Sequence, residues 1–207
     1  MEIITGIEQG SDEWLEIRMG WLTASKFKDV ISNGRGKAPS KTRQSYMYQL
    51  AAETLTGERG ESFSSEYMEW GTKTEPQARA MYEFETGSEV SEVAFIKWNE
   101  VNKIGISPDA LIGDDGGIEI KCPKTTTQID TFLSGKMPTV HNAQVQGSMW
   151  VTGRKWWDFV SFDPRIDGDA GYFCVRVERD EDYIKDLEEK CLAFEAELIQ
   201  MINLLKG

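Results

Sequence analysis

Asp109, Glu119 and Lys121 are the residues of this chain whose types and spacing could do chemistry together. They lie between Gly105 and Pro123, where two apolar runs flank a turn rich in Asp and Gly, a β-hairpin signal. If Asp109 lies opposite Glu119, alternation along the strands also sets Ser107 opposite Lys121. That pairing requires a loop of odd length. One face of the hairpin would then carry two carboxylates, an ammonium and a hydroxyl. Carboxylates directly opposite each other repel and destabilise a sheet. A divalent cation turns the same arrangement to use, because magnesium takes hard oxygen ligands and only one or two protein carboxylates, leaving room for water and phosphate. Such an ion lowers the pKa of a water and neutralises charge on a phosphodiester. Lys121 would position or deprotonate that water, or stabilise the pentacovalent phosphate. The competing reading is a solvated hairpin with ordinary surface charges.

The elements around the hairpin can be read from caps and periodicity. Ser11 to Arg18 and Thr23 to Asn33 predict short helices opened by Ser and Thr caps, and Ser40 to Leu55 and Ser64 to Phe84 predict longer ones. Between the second and third helices, residues 34–39 form a basic loop with two glycines, so that Arg35 and Lys37 are either a DNA contact or plain surface. Strand character runs from Val90 to Lys121, helices return at Thr127 to Leu133 and Asn142 to Val151, and Lys155 to Phe162 and Tyr172 to Val177 resume as strands. In the last segment, Asp180 to Leu205, Tyr183, Leu187, Cys191, Phe194, Leu198, Ile202 and Leu205 make one apolar stripe. Helices before and after a central mixed sheet predict an α/β (α+β) domain, and the 207 residues suit a single domain, 1–207.

Composition narrows the chemistry. Three scattered cysteines suit a reducing cytoplasm and make neither a disulfide framework nor a zinc pattern. No N-terminal apolar segment resembles a signal peptide, and no run is long enough to span a membrane. His141 is the only histidine, which excludes histidine-rich metal hydrolases; placed after Pro138 where a helix begins, it is expected to cap or to face solvent. The net charge of −12 argues against a protein that coats DNA. The distribution says more: Arg18 to Arg43 carries seven basic residues against one acid, while Glu178 to Glu197 carries nine acids against three bases. A basic N-terminal region on an acidic body suits an enzyme that engages nucleic acid on one surface.

Ser-Pro-Asp at 107–109 followed by Glu-Ile-Lys-Cys-Pro at 119–123 resembles the PD-(D/E)XK, restriction-endonuclease-like nuclease core. Further segments, in order along the chain, resemble the phage lambda exonuclease and YqaJ-type viral recombinase family. They are Gly10-Ser11-Asp12-Glu13-Trp14 through Arg18, Leu22 to Ser25, Trp70-Gly71 through Glu75, Ala143 to Gln146 with Met149 to Thr152, and Phe162-Asp163-Pro164-Arg165. The resemblance covers nearly the whole chain. It implies a magnesium-dependent exonuclease, with manganese as a substitute, that degrades one strand of duplex DNA from its 5′ end and leaves a 3′ single strand for an annealing protein. It also implies a phage or prophage origin, action in the host cytoplasm, and a homotrimeric ring around the DNA.

The same resemblance assigns roles. Asp109, Glu119, the carbonyl of Ile120 and the helical carboxylate Glu75 would hold the metal, Lys121 would activate the attacking water, and Gln144 would stand beside the active site. Arg18, Ser25 and Ser107 match a pocket for the terminal 5′ phosphate, chemistry that a forked guanidinium and two hydroxyls can perform. Met68 stands where the family offers an apolar wedge between strands. Trp14 and Trp70 are read either as core anchors or as surfaces on which bases stack. Three other readings compete: an endonuclease on the same core, a non-catalytic DNA-end-binding recombination protein, and an acidic DNA mimic. An endonuclease has no need of a terminal-phosphate pocket, and a silent scaffold has no need of Asp109, Glu119 and Lys121 together. The basic stretch near the N-terminus and the hairpin chemistry count against a DNA mimic.

Overall fold

The computed structural model describes residues 1–34, 40–60 and 66–207, apart from the side chains of residues 67 and 68. The chain begins with β1 (Glu2–Ile4), α1 (Asp12–Ile17), β2 (Leu22–Thr23), α2 (Phe27–Val30), α3 (Lys41–Thr56) and α4 (Glu66–Thr86). Five strands follow: β3 (Val90–Ser91), β4 (Phe95–Lys97), β5 (Ile104–Ile106), β6 (Ala110–Ile112) and β7 (Gly116–Lys121). Then come α5 (Thr125–Ser134), α6 (Asn142–Thr152), β8 (Trp156–Phe162), β9 (Tyr172–Glu178) and α7 (Glu181–Lys206). Side-chain caps fix three helix starts: Ser11, Ser40 and Asp180 accept from the N–H groups of Trp14, Arg43 and Tyr183. The helix expected over Thr23 to Asn33 is broken. Leu22 and Thr23 pair in parallel with Ile104 and Gly105, and only a 3₁₀ turn and the short α2 remain. Strand pairing here overrides a weak local preference.

Where the sequence predicts one central mixed sheet, the strands form two, ordered β1-β4-β5-β2 and β3-β6-β7-β8-β9. Each sheet is mixed: β2 runs parallel to β5 and β7 parallel to β8. The chain changes sheets at Ser107-Pro108, where proline has no N–H to carry the ladder on. β6 and β7 form the predicted hairpin, with Ala110 opposite Ile118 and Ile112 opposite Gly116, leaving the odd, three-residue loop 113–115. Gly113 takes the left-handed conformation that turn demands, with φ of +49°. Arg154 braces it by donating from Nη1 to the carbonyls of Gly113 at 2.7 Å and Gly116 at 2.6 Å. One step beyond the ladder, the same register sets Asp109 against Glu119. Ser107 does not follow it to face Lys121; its hydroxyl stays with the first sheet and donates to the Ala94 carbonyl at 2.8 Å.

Two apolar clusters hold these layers. Ile118 and Ile120 of β7 pack with Ala78 and Tyr82 of α4 and Val160 of β8. A larger cluster joins α2, α3, α6 and α7 through Phe27, Leu50, Val145, Met149, Leu187 and Phe194. The α7 stripe is buried at Leu187, Cys191, Phe194, Leu198 and Ile202, while Leu205 is exposed. Helices α2 and α6 approach closely at Gly147, where a Cβ would come within 2.3 Å of the Phe27 ring. Among the described residues no helix is long and apolar enough to cross a membrane.

Candidate active site

Because Ile118 and Ile120 face α4, alternation turns Glu119 and Lys121 to the opposite face of β7. Glu119 is 1% exposed, and its Oε1 accepts from Lys121 Nζ. Its Oε2 is buried with no partner. Asp109 Oδ2 accepts from the Ile120 N–H. In a strand the N–H and C=O of one residue point to the same edge, so the Ile120 carbonyl also points towards Asp109. Glu75 of α4 pairs with Arg79 at 2.8 Å, and Arg79 also binds Glu92 at 2.6 Å.

Electrostatics tie the three acids together. Burial first, and then the charge of Asp109, push the Glu75 carboxyl up to about 7. Burial pushes Glu119 up to about 7 as well, with Lys121 only partly offsetting it, and burial likewise raises Asp109. For Lys121 burial disfavours the ammonium, but Glu119, Asp109 and Glu75 together outweigh it and hold its pKa above the ordinary lysine value. Among the described residues no three carboxylate, imidazole or thiol groups converge as a ready cation cage. Each acid leans on its own donor: Glu119 on Lys121, Glu75 on Arg79, and Asp109 on an amide. The donor set nonetheless fits a hard divalent ion, since it is all oxygen and the Glu119 Oε2 atom is buried and unsatisfied.

Arg18 stands at the C-terminal end of α1 with its guanidinium 3.7 Å from the centre of the Trp14 ring. Its Nε is buried without a partner, and it makes no ion pair among the described residues. Burial lowers its pKa to about 10. With Ser25 it lines a cavity of about 830 Å³. A desolvated guanidinium that no carboxylate has claimed is a seat for an anion. Trp14 serves this group: its Nε1 donates to the Ala94 carbonyl at 2.9 Å and to Ser107 Oγ at 3.2 Å. Ser107 therefore anchors Trp14 and, among the described residues, does not line the cavity itself. Trp14 presents one face to Arg18 and so is neither a plain core anchor nor a platform free on both faces.

A second cavity, of about 130 Å³, is lined by Ser25, Lys28, Lys121, His141 and Gln144. Ser25 borders both cavities, so the Arg18 seat and the Lys121 site adjoin. Gln144 thus lies beside Lys121, as the resemblance implies. His141 takes the expected N-cap position of α6, but its side chain makes no cap hydrogen bond; it is half-buried and stacks on Phe159 with ring centroids 5.3 Å apart. Its sequence neighbourhood gave no sign of this, because Phe159 and Lys121 are distant in the chain. Arg79 was also missed, although its position four residues after Glu75 on a helix is a readable signal.

Other expected contacts fall elsewhere. Arg35 and Lys37 lie outside the described residues, as does the side chain of Met68. Trp70 is covered by Arg165, whose guanidinium lies 4.3 Å from the ring centre. The basic stretch is partly neutralised within the fold, Lys26 by Asp29 at 3.3 Å and Arg43 by Glu197 of α7 at 2.8 Å.

A mixed sheet whose hairpin presents Asp, then Glu-x-Lys, between layers of helices defines the PD-(D/E)XK class of nuclease fold. The chain belongs to the family of YqaJ-like viral recombinase domains, whose family model matches residues 13–155. It is similar to the crystal structure of an alkaline exonuclease, LHK-Exo, from Laribacter hongkongensis, at 44% identity and a TM-score of 0.87 over 95% of this chain and 96% of that one. The same figures hold for LHK-Exo in complex with dAMP. A phage-related exonuclease from Haemophilus somnus 129PT shares the fold at 18% identity, with a TM-score of 0.65 over 89% of this chain and 96% of that one. Among curated proteins, the uncharacterised ExoD of Escherichia coli (strain K12) is 39% identical over 51 residues, 25% of this chain. This chain spans 58% of the length of that relative.

Proposed function

We propose that residues 1–207 form one nuclease domain, a magnesium-dependent 5′→3′ exonuclease acting on double-stranded DNA ends. Its product is a 3′ single-stranded overhang for a single-strand annealing protein in phage-type recombination, in the cytoplasm of the host bacterium. The observation that supports this reading is that Ser25 lines both the cavity of Arg18, whose Nε has no partner among the described residues, and the cavity of Lys121. A terminal phosphate seated on Arg18 brings the first phosphodiester of its strand to Lys121. Family membership and the likeness to LHK-Exo support hydrolysis of DNA, and the dAMP complex of that protein is in keeping with mononucleotide products. The homotrimeric ring rests on the family resemblance and is checked by light scattering.

Asp109, Glu119, Glu75 and the Ile120 carbonyl would hold Mg²⁺ or Mn²⁺, which when bound supplies a Lewis acid at the phosphate and acidifies water. Lys121, kept as an ammonium by the acids around it, orients the attacking water and stabilises charge growing on the phosphate. Gln144 donates into the same cavity. Arg18 and Ser25 grip the terminal phosphate, with Trp14 and Ser107 holding Arg18 in place.

The test uses linear duplex with 5′-phosphate or 5′-hydroxyl ends and a closed circle, each with magnesium or chelator. Magnesium-dependent loss from phosphorylated 5′ ends, with the circle intact, is expected. Nicking of the circle would move the assignment to an endonuclease, and no cleavage at all would favour an end-binding protein.

A further inference from the structure

Three polar side chains line the 130 Å³ cavity beside Lys121. Lys28, His141 and Gln144 make no side-chain hydrogen bond or ion pair among the described residues. At about 30 Å³ per water molecule the space is enough for a few waters or one phosphate group. They come from two elements: Lys28 lies on α2, and His141 and Gln144 lie at the start of α6. The close crossing at Gly147 and Phe27 sets the spacing of those elements. His141 is further fixed by its stack on Phe159, the β8 residue paired with Glu119 of β7. Its orientation is therefore set by the same strands that set the acid centre.

The geometry points to Lys28 and His141 as contacts for the scissile phosphodiester, on the wall of the cavity that Lys121 does not occupy. This rests on the exonuclease reading and adds two substrate-contacting residues to it. With the terminal phosphate on Arg18 and Ser25, the next phosphate along the strand enters the space those side chains share with Lys121. His141 donates one ring N–H to a non-bridging oxygen, and Lys28 adds a positive charge as negative charge grows there. Burial first, then the charges of Lys121 and Lys28, push the imidazole down to about 4, so at neutral pH it acts as a neutral donor. It transfers no proton in the step.

The experiment compares His141→Ala, His141→Phe and Lys28→Ala with the parent in single-turnover cleavage of 5′-phosphorylated duplex with Mg²⁺. His141→Phe keeps the ring stack on Phe159 and removes the N–H, so it separates packing from donation. Loss of one preorganised donor predicts a cleavage rate about 100-fold lower for both His141 variants. Lys28→Ala should lose about 10-fold, as an exposed charge contributes less. Duplex binding in chelator should stay within about twofold for the His141 variants, since the donor acts mainly in the transition state. As a readout independent of turnover, the one histidine gives a single set of ring NMR signals, which should shift when 5′-phosphorylated duplex is added to metal-free protein. Parental rates in His141→Ala and His141→Phe, with ring signals that do not move, would overturn the inference and leave the exonuclease reading standing. A parent that cleaves no duplex would overturn both.

Discussion

Glu119 and Asp163 are both buried carboxylates at neighbouring strands, 1% and 0% exposed, and they are opposites. Asp163 accepts from the Arg165 N–H at 3.0 Å, Nε at 2.7 Å and Nη2 at 2.8 Å, and from the Thr125 hydroxyl at 2.7 Å. Those donors, Arg165 foremost, hold its carboxyl down at about 2. Glu119 has one ammonium, two other acids within electrostatic reach and an oxygen with no partner, and burial drives it up to about 7. Both side chains are closed to solvent, so solvent exclusion by itself does not mark the functional acid. What separates them is satisfaction: one residue organises the Phe162 to Arg165 corner, and the other keeps an oxygen without a partner, open to the metal of the proposed function.

Lys121→Ala should reduce cleavage by about a thousandfold or more, with folding and duplex binding retained. Circular dichroism, a binding titration and single-turnover kinetics check this, and parental activity would remove Lys121 from the mechanism. Arg18→Ala should lose about 10- to 100-fold on 5′-phosphorylated ends and little on 5′-hydroxyl ends, as expected for a hydrogen-bonded charge pair of about 1.5–3 kcal/mol. Equal loss on both ends would refute the pocket. On the satisfied side, Asp163→Ala should cost about 2–4 kcal/mol of stability by orphaning several donors; an unchanged urea midpoint would show that the corner is not held by this acid.

The smallest effect is a pH signature. Between the ordinary glutamate value of 4.5 and the raised value near 7, folded Glu119 keeps a proton that the unfolded chain has lost. Its contribution to stability is therefore greatest below 4.5 and is lost as pH rises through 7. Asp163 runs the other way: its contribution is present above 3.8 and lost as pH falls towards 2. In chelator, Glu119→Gln should gain stability relative to the parent as pH rises from 4.5 to 7, with no further change above. Urea midpoints across that range would show it, and a parent that gains on the variant over the same window would contradict the assignment.

The hairpin was legible in the sequence because the Asp-Gly turn and the period-two alternation are local; the odd loop that sets Asp109 against Glu119 is fixed only by the register in the structure. The long C-terminal helix was legible for the same reason, since its stripe repeats over many turns. What failed to show depended on partners far along the chain. Thr23 read as the cap of a helix until Gly105 drew it into a strand. Ser107 read as facing Lys121 until Pro108 moved the chain to another sheet and its hydroxyl found Ala94. The stack of His141 on Phe159 and its place beside Lys28 did not show because neither residue is near it in sequence.

The most direct test of the account follows a label on the phosphorylated 5′ terminus of a linear duplex with Mg²⁺, for the parent and Lys121→Ala side by side. The parent should release the label as a mononucleotide from the earliest time point, while Lys121→Ala leaves it on the full-length strand. Label retained on a strand that shortens from its 3′ end, or equal release by both proteins, would contradict it.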